Sequence, residues 1–243
     1  MNNPNHFDSI ADVFNRIWYF SDDYKTFVIH HIISDLTLSE EDILADIGGG
    51  TGTFTSALVN EAHLQKAYCI EPASAMCTEA SKLSNITAIC ADAHAFISSK
   101  TPFTKMLLKE VIHHIGEREI FWKNVYYTLP SRGKLLIITR PQRVAFPFFD
   151  AAKEAFARNQ PPHETIETEL QKSEFYVTTQ YRSHTFTLPK ESWYEMLRHR
   201  FMSDLSVFSD EEIEEGIREI ESRYEGETID IIDNLIFISA TKK

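Results

Sequence analysis

Apolar residues recur at helical spacing in two stretches near the start of the chain, over residues 7–20 and 23–35. Short apolar runs then alternate with helical patterns, which predicts a parallel sheet with helices on both faces. The predicted strands cover Ile43–Ile47, Lys66–Ile70, Ile86–Ala91, Lys105–Lys109 and Lys134–Thr139. The predicted helices between them run from about Thr53 to Glu61, over Ser74–Leu83, near His94–Ile97 and over Glu117–Thr128.

The pattern changes after residue 139, where prolines become frequent and one helix is predicted, at 148–158. The rest of the chain predicts a strand over Tyr176–Phe186, helices over Pro189–Arg200 and Asp210–Arg223, and a last strand over Ile229–Ala240. These last two strands can pair antiparallel at the sheet edge. The expected fold is therefore α/β, a seven-stranded and mostly parallel sheet with helices on both faces and a helical cap over its C-terminal edge.

Composition narrows the class of partner. The 243 residues include 36 Asp and Glu against 24 Lys and Arg, a formal net charge of −12, so we expect no nucleic-acid partner. No secretory signal and no run of about 20 apolar residues is visible, so we expect no membrane partner either. Three cysteines argue against a disulfide framework and favour a reducing, cytoplasmic compartment, with Cys69 and Cys90 in the core.

A glycine-rich segment gives the strongest chemical signal. Asp46-Ile47-Gly48-Gly49-Gly50-Thr51-Gly52 lies at the end of a predicted strand and opens a helix, where free N–H groups face a ligand. The segment lacks the Gly-Lys-Ser/Thr of a phosphate loop. A dinucleotide fingerprint fits poorly, because Thr53 stands where its third glycine belongs. A dehydrogenase loop and a tight turn without ligand remain the alternatives.

Two further acids end the next strands, Glu71 after the second and Asp92 after the third. A carboxylate 19 residues beyond Gly52 is placed to accept ribose hydroxyls. The D-x-G-x-G-x-G spacing with these two acids resembles the class I S-adenosylmethionine-dependent methyltransferases, over roughly residues 40–140. The resemblance implies a Rossmann-like fold, S-adenosylmethionine as cofactor and S-adenosylhomocysteine as product. The cofactor-binding residues that it implies are Asp46, Gly48, Gly49, Gly50, Thr51, Gly52, Glu71, Pro72, Asp92, Ala93 and Lys109, the last through its backbone carbonyl.

The segment after the fourth strand carries the candidate catalytic groups. His114 follows Glu110 by four residues, which resembles the histidine and acid of the phosphoethanolamine methyltransferases. A base with a pKa near neutrality would help a hydroxyl or ammonium acceptor lose its proton. We therefore expect His114 as the base, His113 as the second choice, and Glu110 beside them. Packing or helix capping by the two histidines is the alternative, and no metal-ligand spacing is present.

The expected domain is single, over 1–243. Residues 1–38 would form a helical lid, 40–140 the cofactor-binding core, 141–223 a cap with the sixth strand, and 228–240 the last strand. The segment Trp193–Phe201 with the residues after it resembles the trans-aconitate and juvenile hormone acid methyltransferases, which esterify carboxylates. The candidate substrate-binding residues are the aromatic Trp18, Tyr19 and Tyr24 and the arginines Arg140 and Arg143.

The leading hypothesis is thus an enzyme, a monomer or homodimer, that methylates a small-molecule metabolite, with the oxygen of a carboxylate or hydroxyl as the expected acceptor atom. N-methylation of an amine or phosphobase is the first alternative. A non-catalytic, methyltransferase-like scaffold subunit is the second.

Overall fold

The computed structural model describes residues 4–18 and 21–243. Two helices open the chain, α1 (Pro4–Ile17) and α2 (Asp22–Leu36). Helix α2 begins after Ser21, whose side chain accepts the backbone N–H of Tyr24, and it ends at Thr37 in the left-handed conformation. The first helix therefore starts earlier and ends earlier than its predicted range of 7–20. Tyr19 lies outside the described residues.

The sheet has seven strands in the order β3-β2-β1-β4-β5-β7-β6. Strands β1 to β5 are mutually parallel, and β7 is antiparallel to both β5 and β6, which confirms the predicted topology and the pairing of the last two strands. The bounds are β1 Ile43–Ile47, β2 Lys66–Ile70, β3 Thr87–Ile89, β4 Lys105–Lys109, β5 Lys134–Thr139, β6 Phe175–Pro189 and β7 Thr228–Lys242.

The helices after α2 cover both faces of the sheet and the edge above it. They are α3 (Thr53–Ala62), α4 (Ser74–Ala80), α5 (Ala93–Ser98), α6 (Arg118–Thr128), α7 (Asp150–Asn159), α8 (His163–Lys172), α9 (Lys190–Arg198) and α10 (Asp210–Arg223). Short 3-10 helices occupy Ile112–His114 and Ser203–Val207.

Helix α8 was not predicted. Its buried residues Ile166 and Leu170 are four positions apart and so lie on one face of the helix, which packs against α6 and β6. Pro162 precedes the helix at its cap position. Proline suits the start of a helix, where the missing N–H leaves no hydrogen bond unmade.

Alternate residues of the parallel strands enter two separate cores. Leu107 and Leu136 face α2, α7 and α9, whereas Met106 and Leu108 face α5, α6 and α8. Residues on both faces of the central strands are apolar because helices cover both sides. The polar positions of these strands are therefore concentrated at their carboxyl ends, where a ligand can reach them.

The arrangement of the cysteines differs from the expectation that none of them forms a disulfide. Cys77 of α4 and Cys90, just after β3, form a disulfide with Cα atoms 5.6 Å apart. Cys90 is exposed rather than in the core, while Cys69 is buried and free. The number of cysteines does not show which helix packs on which strand, so it could not reveal this pair. Because a disulfide is present, the small number of cysteines no longer supports a reducing compartment.

Candidate active site

A cavity of about 710 Å³ opens at the carboxyl ends of the parallel strands. Helix α1 covers it, and α1 is fixed to the loop after β1 by Asn15, whose side-chain oxygen accepts the hydroxyls of Thr51 at 2.5 Å and Thr53 at 2.9 Å. Phe14 and Trp18 stack at a centroid distance of 5.8 Å, and both line the cavity. The predicted N-terminal lid therefore lies over the predicted glycine loop.

The glycine loop joins β1 to α3, and two of its glycines leave no room for a side chain. Gly48 has φ +70°, and a Cβ on it would lie 2.5 Å from Cγ2 of Val111. Gly52 has φ +76°, and its Cβ would lie 2.6 Å from Cδ1 of Ile86. Any other residue would be strained by conformation and by contact at both positions. Gly49, Gly50 and Thr51 complete the loop and also line the cavity.

Glu71 points from the end of β2 to the same loop. Its Oε2 accepts the backbone N–H of Gly50 at 3.0 Å, and its Oε1 accepts that of Ala73 at 2.9 Å. Burial raises the pKa of this carboxyl, while the two N–H donors oppose that shift. Each oxygen keeps a lone pair for a further donor, so this rigid carboxylate can accept two neighbouring hydroxyls.

Asp92 and Ala93 line the far end of the cavity, beside Pro72. Oδ1 of Asp92 caps α5 by accepting the N–H of Ala95 at 2.8 Å. The carboxylate is exposed, so its second oxygen can meet a ligand while the first serves the helix. Asp92 thus has a structural role beside the binding role that the sequence suggested.

Asp46 is buried at the end of β1, where its Oδ2 accepts the hydroxyl of Thr55 at 2.6 Å. Desolvation raises the pKa of this carboxyl to about 7, and the charge of nearby Lys109 opposes the shift.

Lys109 ends β4, and its side chain lines the cavity. The sequence pointed to its backbone carbonyl and gave its ammonium no role. Nζ lies 4.5 Å from the ring centroid of Phe54 and 5.9 Å from that of Trp18. Burial and the charge of Arg140 lower the pKa of Lys109 to about 8.

Arg140 does not line the cavity, contrary to the sequence-based expectation. It is 2% exposed, and its Nε and Nη2 donate to the two oxygens of Asp233 at 2.7 and 2.8 Å. Its Nη1 donates to Glu110, and the hydroxyl of Tyr24 donates to Asp233 at 2.7 Å. Oε1 of Glu110 is buried and has no hydrogen-bond partner among the described residues.

Of the other described residues that were expected to bind substrate, some line the cavity and one does not. Trp18 and Tyr24 line the cavity, although the Tyr24 hydroxyl also serves Asp233. Arg143 is exposed and does not line the cavity. The sequence could not show that Asp233 of β7 meets the end of β5, because that contact depends on the antiparallel pairing.

Both histidines line the cavity, with ring centroids 4.1 Å apart. Desolvation lowers the pKa of His113 to about 3 and that of His114 to about 4, so both rings are uncharged at neutral pH. Nδ1 of His113 lies 3.4 Å from the side-chain nitrogen of Gln160, and Nε2 of His114 lies 3.4 Å from the hydroxyl of Ser203. The sequence gave no role to Gln160 or Ser203, which belong to the cap.

Two kinds of feature are absent from the described residues, a metal-binding cluster and a membrane-spanning helix. No cluster of three or more His, Cys, Asp or Glu side chains there is arranged to hold a metal ion. None of the helices described is long and apolar enough to cross a membrane.

Residues 45–137 match the family model described as a methyltransferase domain. No curated protein matches the chain. Among solved structures, a putative methyltransferase from an antibiotic biosynthesis pathway of Anabaena variabilis superposes with a TM-score of 0.64 at 18% identity, covering 87% of this chain and 96% of that one.

Two further structures share the fold. Phosphoethanolamine N-methyltransferase 2 of Haemonchus contortus, solved with phosphomonomethylethanolamine and S-adenosylhomocysteine, gives a TM-score of 0.62 at 18% identity, over 97% of this chain and 57% of that one. A cyclopropane synthase of Mycobacterium tuberculosis gives 0.59 at 17% identity, over 88% and 83%. Identities this low establish the fold and leave the substrate open. Residues 45–137 therefore form a methyltransferase domain, and the chain as a whole has the fold of these three structures.

Proposed function

We propose that the protein transfers the methyl group of S-adenosylmethionine to a hydroxyl of a small, partly aromatic or apolar metabolite. One observation carries this proposal. A single cavity joins the glycine loop, Glu71 and Asp92 at one end to the two histidines and the aromatic lid at the other. Such continuity lets a cofactor and an acceptor meet inside one water-poor site, where orientation supplies most of the catalytic effect.

The donor set at the first end suits a nucleoside. Glu71 offers two rigid acceptor oxygens for a ribose diol, and the glycine loop allows close approach of backbone. The cofactor supplies an electrophilic methyl group on a sulfonium. The protein's own tasks are to hold that group, exclude water with the α1 lid, and accept a proton from the acceptor.

The histidine end of the cavity carries mostly uncharged polar groups, with the carboxyls of Glu110 and Asp204 as exceptions. Its polar groups include His113, His114, Gln160 and Ser203, all without charge at neutral pH, among the rings of Trp18, Phe156 and Phe201. No arginine lines the cavity in the described part of the chain. Arginine therefore gives no support for a carboxylate acceptor, and a hydroxyl is the oxygen nucleophile that fits the cavity best.

His114 is the better candidate base. The amide of Gln160 points at Nδ1 of His113, and the side-chain oxygen of Gln160 lies 3.4 Å from the hydroxyl of Thr139, which orients that amide. Nε2 of His114 lies 3.4 Å from the hydroxyl of Ser203, a group that can either donate or accept a hydrogen bond. A base with a pKa of about 4 stays unprotonated through the physiological range, so we expect the acidic limb of the pH–rate profile near pH 4 rather than near 6.5.

An amine acceptor is the second candidate, because Glu110 keeps one buried oxygen without a partner among the described residues. Glu110 lines the cavity, so its carboxylate places a negative charge near an ammonium acceptor.

Methyl-labelled S-adenosylmethionine, offered with panels of phenols, alcohols, amines and carboxylates, tests the proposal directly. We expect label transfer to hydroxyl compounds and formation of S-adenosylhomocysteine. With that acceptor, His114→Ala should lower kcat about 100-fold while S-adenosylhomocysteine affinity is kept. His113→Ala should have the smaller effect. Transfer to amines alone would select the second candidate, and no transfer to any class by a protein that binds the cofactor would contradict both.

A further inference from the structure

Lys109 is a half-buried cation in the wall of the cavity. An ammonium group has three N–H donors, yet Nζ of Lys109 donates to none of the described residues. Its recorded neighbours are the rings of Phe54 and Trp18. An aromatic face attracts a cation, but it does not replace the hydrogen bonds lost on leaving water.

Arg140, which directly follows the neighbouring strand β5, is paired quite differently from Lys109. Arg140 has two carboxylates, Asp233 and Glu110, each in direct contact with its guanidinium. These two acids are therefore already paired with one cation. Asp46, on the other side of Lys109, accepts the hydroxyl of Thr55, and its raised pKa of about 7 leaves it only partly ionised at neutral pH. No described carboxylate is thus committed to Lys109.

The order of the binding groups along the sheet edge indicates which ligand group reaches this ammonium. Asp92 follows β3, Glu71 follows β2, the glycine loop follows β1, and Lys109 ends β4, and these four strands are neighbours in that order. Adjacent strands are about 4.8 Å apart, so the four ends span about 14 Å. A nucleoside bound by Asp92 and Glu71 directs its 5′ substituent across the glycine loop towards Lys109.

We infer that the Lys109 ammonium binds the carboxylate of the cofactor's amino-acid end. This inference rests on the proposed cofactor and adds a side-chain role to the residue. The cofactor's carboxylate would supply the charge-assisted hydrogen-bond acceptors that the described residues do not supply to the Lys109 ammonium. It also gives the cavity a means to select a nucleoside that carries an amino acid over one that does not.

Calorimetric titration with two ligands tests the inference. S-adenosylhomocysteine and 5′-methylthioadenosine share the nucleoside and the thioether, but only the first carries the amino acid. We expect Lys109→Met to weaken S-adenosylhomocysteine binding at least about tenfold and to change methylthioadenosine affinity less than about twofold. Methionine has a similar volume and no charge to bury, so the variant should fold, which its unfolding midpoint will report.

Lys105→Met is the matched control. Lys105 lies on the same strand and face, four residues away, and its Nζ is 3.9 Å from Asp42. We expect wild-type affinity for both ligands. Equal weakening of both ligands by Lys109→Met, or unchanged S-adenosylhomocysteine affinity, would overturn the inference while the proposed cofactor stands. A wild-type protein that binds neither ligand would overturn the proposed cofactor and this inference together.

Discussion

The two halves of the cavity are built differently. At the ends of β1, β2 and β3, the site consists of backbone turns and of acids within a few residues of their strand, with Glu71 fixed by N–H groups of Gly50 and Ala73. Over β4 and β5, it consists of side chains from distant segments, such as Arg140 paired with Asp233 and His114 beside Ser203. The cofactor half depends on local geometry, and the acceptor half depends on tertiary packing.

The largest expected effect tests the packed half. Arg140→Met should lower the free energy of unfolding by about 3–5 kcal/mol, because it leaves Asp233 and Glu110 buried without their cation. Urea denaturation at neutral pH measures the change. Arg143→Met, at an exposed position three residues on, should stay within about 0.5 kcal/mol of wild type. Equal stabilities for the two variants would show that the ion cluster does not hold this half together.

The next effect tests the backbone-built half. Gly48→Ala should weaken S-adenosylhomocysteine binding about 100-fold or more, because its Cβ meets Val111 and pushes the loop out of place. Calorimetry measures the affinity, and circular dichroism checks folding. Gly226→Ala is the matched control, since Gly226 has φ +78° but nothing within 4 Å of its Cβ. If both variants bind equally well, loop shape does not govern cofactor affinity.

The smallest effect concerns Asp46, at the boundary of the two halves. Its folded pKa of about 7 lies above the ordinary 3.8, mainly through desolvation, with Thr55 and Lys109 opposing and Glu71 adding to the shift. Between those values the folded protein keeps a proton that the unfolded chain releases. Stability from this group is therefore present below pH 4 and is lost as the pH rises to 7.

Asp46→Asn removes that loss. We expect the variant without ligand to be more stable than wild type at pH 8, with the difference shrinking towards pH 4. Urea midpoints across the pH series measure it. A difference that is constant with pH, or that grows towards low pH, would contradict a buried protonated carboxyl.

The same division explains what the sequence could predict. The succession of strands and helices along the chain, the glycine loop and Glu71 follow from local patterns, because each motif and its strand are adjacent in the chain. The pairing of Arg140 with Asp233 and the Cys77–Cys90 disulfide require knowing which distant segments meet. The side chain of Lys109 was assigned no function because direction and burial, rather than residue type, give it one.

The most direct test of the account is a calorimetric titration of the full chain with S-adenosylhomocysteine, followed by nicotinamide dinucleotide as a comparison ligand. The account predicts one-to-one binding of the first in the micromolar range or tighter, with no heat from the second. A folded protein that binds the dinucleotide and not S-adenosylhomocysteine would contradict it.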